Sequence, residues 1–104
     1  MANPHRGEIS ASFEGEEKVL CLTLGALAEL EARLGAGDLV GLSERFSSGR
    51  VTARDLTAII GAGLRGGGNA VTDDDLARMA IEGGLRGAAE IAARLLRATF
   101  GEAA

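Results

Sequence analysis

Gly61, Gly63 and Gly66, in the stretch IIGAGLRGGG at residues 59–68, have the GxGxxG spacing with which a dinucleotide-binding turn brings its backbone against a pyrophosphate. That chemistry needs a strand before the glycines, a helix opening at them and an acidic ribose ligand about twenty residues further on. Glu82 stands at roughly that distance, but the residues between carry turn and helix signals and no strand. The glycines also follow a helical pattern instead of preceding one, and sixteen glycines in 104 residues generate such spacings by chance. A nucleotide-binding enzyme acting through GAGLRG is therefore the remote alternative. A phosphate loop is weaker still, because GGGN is not followed by Lys and a hydroxyl residue.

The other reactive side chains do not assemble into a site. Asp73, Asp74 and Asp75 lack the alternating oxygen ligands, central Gly and closing Glu of a calcium loop. They fall in the first turn of a predicted helix, where the helix dipole favours negative charge. His5, the one histidine, sits beside Arg6 in a terminal arm, and Cys21 alternates within an apolar strand with no positioned His to activate it. Glu16 with Glu17, and Glu29 with Glu31, read as solvated faces. The expectation is a non-enzyme with no catalytic residues, no cofactor and no metal.

Composition narrows the partners. A formal net charge of −4, with acidic groups spread along the chain, argues against the basic stripe of a nucleic-acid binder. The longest apolar runs fall well short of the ~20 residues that cross a bilayer, so no membrane role is expected. One cysteine cannot form an internal disulfide, and no charged leader with an apolar stretch precedes Gly7; a cytoplasmic protein is the expectation. The apolar residues are Leu, Ala, Ile and Val, with three Phe and no Trp or Tyr, which makes a thin aliphatic core and favours a partner or self-association.

The elements follow from periodicity. MANPHRG reads as a flexible N-terminal arm over residues 1–7, residues 8–101 as a single α+β domain, and residues 102–104 as a flexible tail. In EISASFE, Ile9, Ala11 and Phe13 alternate with polar residues, the period of a strand with one buried face. GEEK supplies a turn and VLCLTL a second strand, giving an antiparallel hairpin at about 8–14 and 18–23 that must pack on helices. Thr23 is positioned to cap LGALAELEARL, in which Leu24, Leu27, Leu30 and Leu34 recur at helical spacing and which Gly35 ends. Asp38 is placed to cap a short helix with Leu39, Leu42 and Phe46 on one stripe. The fold class is α+β and mostly helical, with four to five short α-helices in a compact bundle behind the hairpin.

Two later segments echo each other. VTARDL at 51–56 and VTDDDL at 71–76 each put Thr at an N-cap, with Asp three residues on as a variant capping box, and each is followed by GLRG. After Thr52, residues Leu56, Ile59, Ile60, Gly63 and Leu64 share one helical face, which places the first glycines inside the helix; both GLRG copies read as helix exits. The last segment, AAEIAARLLRATF, lines up Ala88, Ile91, Ala92, Leu95, Leu96 and Phe100 as the clearest amphipathic helix. Its exposed Arg94 and Arg97, with Phe100 near the end, are the candidate partner-binding residues.

The segment CLTLGALAELEARLGAGDLVGLSERFSSGRVTARDLTAIIGAGLRGGG, residues 21–68, resembles small proteins encoded among the tail genes of bacterial gene transfer agents, described as phage tail tube or tail assembly chaperone proteins. ANPHRGEI, TDDDLARM and LLRATFG extend the likeness over nearly the whole chain. The resemblance implies work on the tail of a phage-like particle, with the tape measure protein and tail tube protein as partners. A tube subunit would be a β-rich, ring-stacking structural component, whereas a tail assembly chaperone binds the tape measure and recruits tube subunits. One hairpin followed by helices favours the chaperone.

Overall fold

The first two elements, β1 (Glu8–Phe13) and β2 (Glu16–Cys21), pair antiparallel with Ile9 opposite Leu20 and Phe13 opposite Glu16. The computed structural model describes residues 2–34 and 39–101. Met1, Gly35, Asp38 (the expected cap of the second helix) and the tail 102–104 lie outside them. Ile9, Ala11 and Phe13 are buried in the alternation that the sequence predicts. The turn is shorter than GEEK: Glu14 and Gly15 alone connect the strands, with φ of 53° and 81°, the left-handed pair of a type I′ hairpin. The second strand therefore starts at Glu16, before the expected residue 18. It stops at Cys21, before the expected 23, because Thr23 leaves the ladder to cap the next helix, its Oγ1 accepting from the Ala26 N–H at 3.1 Å.

Five α-helices follow among the described residues: α1 (Leu24–Leu34), α2 (Leu39–Ser47), α3 (Ala53–Gly66), α4 (Asp73–Ala77) and α5 (Gly84–Phe100). Both expected capping boxes form. Thr52 and Asp55 exchange bonds of 3.0 and 3.1 Å at the start of α3, as do Thr72 and Asp75 at the start of α4. Asp55 is also buried and accepts from Arg45 of α2 at 3.4 Å. Ahead of the strands, Pro4–Arg6 makes one 3-10 turn against β1 and α5.

The central element is α3. Leu56, Ile59, Ile60, Gly63 and Leu64 are buried as expected, but so are Ala58, Gly61 and Ala62, so the helix is covered nearly all round. It packs against β2, α1, α4 and α5. Small residues permit that closeness. A Cβ on Gly63 would stand 2.5 Å from Leu95 of α5, and one on Gly66 would collide with the Cys21 carbonyl of β2. The end of α3 is tied to the same strand by Asn69, whose side-chain amide donates to the Val19 carbonyl at 2.8 Å and the Leu64 carbonyl at 3.0 Å.

Two readings of the helices change. Leu24 is 86% exposed, and the buried stripe of α1 begins instead at Ala26 and continues through Leu30; the stripe is the face of α1 that packs on α3, and Leu24 lies off it. The second GLRG, at residues 84–87, opens α5 instead of closing α4, with Gly83 and Gly84 at φ 85° and 60° swinging the chain into the helix. The repeat in sequence is thus a repeat in structure at its two caps and not at its two GLRG copies.

If close approach explains these glycines, alanine should cost stability at one of them and not at a helical glycine with open space around it. Gly66→Ala is expected to destabilise by about 2–3 kcal/mol. Gly25→Ala, in α1 where a Cβ would meet nothing closer than 3.9 Å, should gain about 0.5 kcal/mol. Urea midpoints at unchanged slope would check both.

Candidate partner-binding surface

The glycine motif sits in the last turns of α3, whose N-terminus is at Ala53; its backbone N–H groups are spent within the helix and do not face a phosphate. Among the described residues no three His, Cys, Asp or Glu side chains lie where they could hold a metal ion, and no helix is long and apolar enough to cross a membrane. His5 is exposed, and half-buried Cys21 lies 3.8 Å from the Arg6 carbonyl oxygen.

Charged groups concentrate instead between α1, α3 and α4. Arg65 near the end of α3 donates to both carboxylate oxygens of Glu29 on α1, to Asp73 at 3.0 Å and to the Val71 carbonyl at 2.8 Å. Asp73 also pairs with Arg33. The hydrogen bond from Arg65 holds the Glu29 carboxyl below its ordinary value of 4.5, and the same bond raises Arg65. On α4, the Thr72 backbone N–H lowers Asp75 below 3.8, with help from the Thr72 hydroxyl and Arg78. The aspartates of the DDD run therefore divide their work, Asp73 in an ion cluster and Asp75 in a cap.

Beside this cluster an apolar groove of about 290 Å³ opens to solvent. Leu56 and Ile60 of α3 form its floor, Leu76 of α4 and Met79 one wall, and Leu85 and Ala88 at the start of α5 the other. Leu85 is 70% exposed at the rim. An exposed leucine beside an open apolar groove offers apolar contact to another chain more than shelter to a small polar molecule.

Arg94, Arg97 and Phe100 stand elsewhere. All three are exposed: Arg94 and Arg97 lie on the outer side of α5 as expected, whereas Phe100, expected on the apolar stripe with Ala88, Ile91, Ala92, Leu95 and Leu96, is its one exposed member, in the last turn of the helix. Arg94 borders a separate shallow cleft with Ser12, Glu82 and Glu90. Phe100 is about 22 Å along the helix from Leu85 at 1.5 Å per residue. The groove was hidden in the sequence because Met79, Ile81 and Leu85 carry no strong periodicity and GGLRG reads as an exit. The one available signal was the apolar content of LARMAIEGGL, too much for a loop.

With this geometry established, comparison with known proteins decides the lineage. A family model described as phage tail tube protein, GTA-gp10, matches residues 6–102. The chain belongs to that family. Its role is accordingly with a phage-type tail of gene transfer agents, in association with other tail components. No curated protein and no solved structure matches the chain.

The depressed carboxylates set an acid limit. A folded pKa below the unfolded value contributes stability that is complete above 4.5 for Glu29 and 3.8 for Asp75, and is lost as pH falls through the lower folded values. For these two groups, the denaturation midpoint should hold level from pH 7 to about 5 and then drop. Glu29→Gln should lower the midpoint at neutral pH and shrink the drop.

Proposed function

We propose that this family member is a non-enzymatic assembly factor, a tail assembly chaperone that works in the bacterial cytoplasm while the particle is built. Its occupant is the apolar face of a helical stretch of the tape measure protein, which it covers until tube subunits take over. The observation that carries this reading is the open groove with Leu85 at its rim: it has room for a few aliphatic side chains projecting from a helix. The resemblance to tail proteins supplies the partner. A two-stranded sheet among the described residues also suits a chaperone better than a β-rich tube ring.

The family description, phage tail tube protein, favours a second reading, a permanent structural component of the tail. In that case the same apolar surface would contact neighbouring tail subunits. The readings part on whether the chain remains in the finished particle.

Co-purification tests the contact. Leu85→Ser should change stability by under about 0.5 kcal/mol, since the side chain is already in water. It should weaken capture of the tape measure protein roughly ten- to hundredfold, the equivalent of losing one buried leucine. Undiminished capture by Leu85→Ser, together with loss in Arg94→Ala, Arg97→Ala or Phe100→Ala, would move the contact to the outer side of α5.

A further inference from the structure

One wall of the groove is made by the shortest α-helix among the described residues. α4 has five residues, too few to hold a helical conformation unaided, yet its Leu76 and Ala77 line the groove and Met79 and Ile81 continue the wall. The segment is fastened at both ends. Downstream, the Ala80 carbonyl accepts from the Glu14 N–H at 2.9 Å and Ile81 bridges to Phe13, so the hairpin turn holds it by backbone. Upstream, the fastening is ionic: Asp73, the first residue of α4 and only 14% exposed, places one oxygen on Arg65 at 3.0 Å and the other on Arg33.

The cluster is fitted to that task. Arg65 is held against α1 by Glu29 and reaches past the end of its own helix to the Val71 carbonyl, so a single guanidinium joins α1, α3 and the entry to α4. Gly61 leaves the space that the Asp73 carboxylate occupies, since a Cβ there would collide with Oδ1. The depressed Glu29 and raised Arg65 pKa values agree with a cluster that is charged and engaged. Besides the ion pairs, the Thr72–Asp75 capping box closes the first turn of α4 and Leu76 is its one buried side chain.

We infer that the Arg33–Asp73–Arg65 cluster is a latch that holds α4 as a fixed wall of the groove, so that charged residues outside the groove set its shape. The latch is a property of the free chain. Its consequence, a preformed surface that binds a partner without first ordering itself, rests on reading the groove as the docking surface.

Met79 makes the latch observable, because the chain has two methionines and the other is Met1. Methyl NMR of the free protein therefore gives one groove resonance, and amide hydrogen exchange reports on residues 76–81. Asp73→Ala leaves Arg65 paired with Glu29. It should move the Met79 methyl toward its random-coil position and speed exchange over 76–81 about tenfold or more, with the hairpin and α5 unchanged. Arg33→Gln should act in the same direction and less strongly, and it decides the matter if Asp73→Ala does not fold.

An unmoved Met79 methyl with unchanged exchange would overturn the latch. So would faster exchange spread evenly over β1, α3 and α5, which would make the cluster a support of the whole fold. If Met79 loosens as expected while wild-type protein captures no tape measure protein, the docking reading falls and the latch stands.

Discussion

The backbone of α3 comes so close to β2 that the last residue of the helix has no room for a side chain. Gly66 lies against the Cys21 carbonyl, and Asn69 fastens the exit to the same strand through Val19. Most of the arrangement depends on this contact. A helix pressed to the hairpin leaves Gly63 facing Leu95, which fixes α5 across it, and leaves Gly61 beside Asp73, which lets α4 lie over its middle. The groove is the space between α3, α4 and the start of α5. A glycine spacing that looks like a nucleotide turn thus records three close approaches, to a strand, a helix and a carboxylate.

Features governed by local chemistry were legible in the sequence. The Thr–Asp boxes at 52–55 and 72–75 cap helices because the partners lie within one turn, and the alternation of Ile9, Ala11 and Phe13 names the buried face of β1. Features set by chain direction were not. The second GLRG opens a helix because Gly83 and Gly84 take positive φ, which the same four letters at 63–66 do not do. Leu24 shares the helical spacing of Leu27 and Leu30 yet points to water, since the stripe is phased by where α3 lies and not by the cap. The groove needed three elements brought together across the sequence, and no window of a dozen residues contains them.

The site shows the same division. The periodicity of α5 puts Arg94 and Arg97 toward water, where they are exposed, but it puts Phe100 on the apolar stripe, and that ring is 41% exposed. Leu85 reads in the sequence as part of a helix exit and joins the groove only in the fold. Asp73 was visible as an acidic residue at a helix start. Its pairing with Arg33 and Arg65, forty and eight residues away, was beyond any local pattern. Family membership fixes the setting as a phage-type tail, and the open apolar groove is the contact proposed for it. Among the described residues there is one two-stranded sheet, and the exposed large hydrophobic side chains are Leu24, Leu85 and Phe100, all on helices.

Whether the chain stays in the particle bears most directly on the assembly-factor reading. Quantitative mass spectrometry of purified particles, with the abundance of this chain taken relative to the tail tube subunit, gives the answer. An assembly factor that departs predicts that its peptides are absent or trace in the particles and plentiful in the producing cells. Recovery in the particles at a fixed ratio to the tube subunit would contradict that account and make the protein a structural part of the tail.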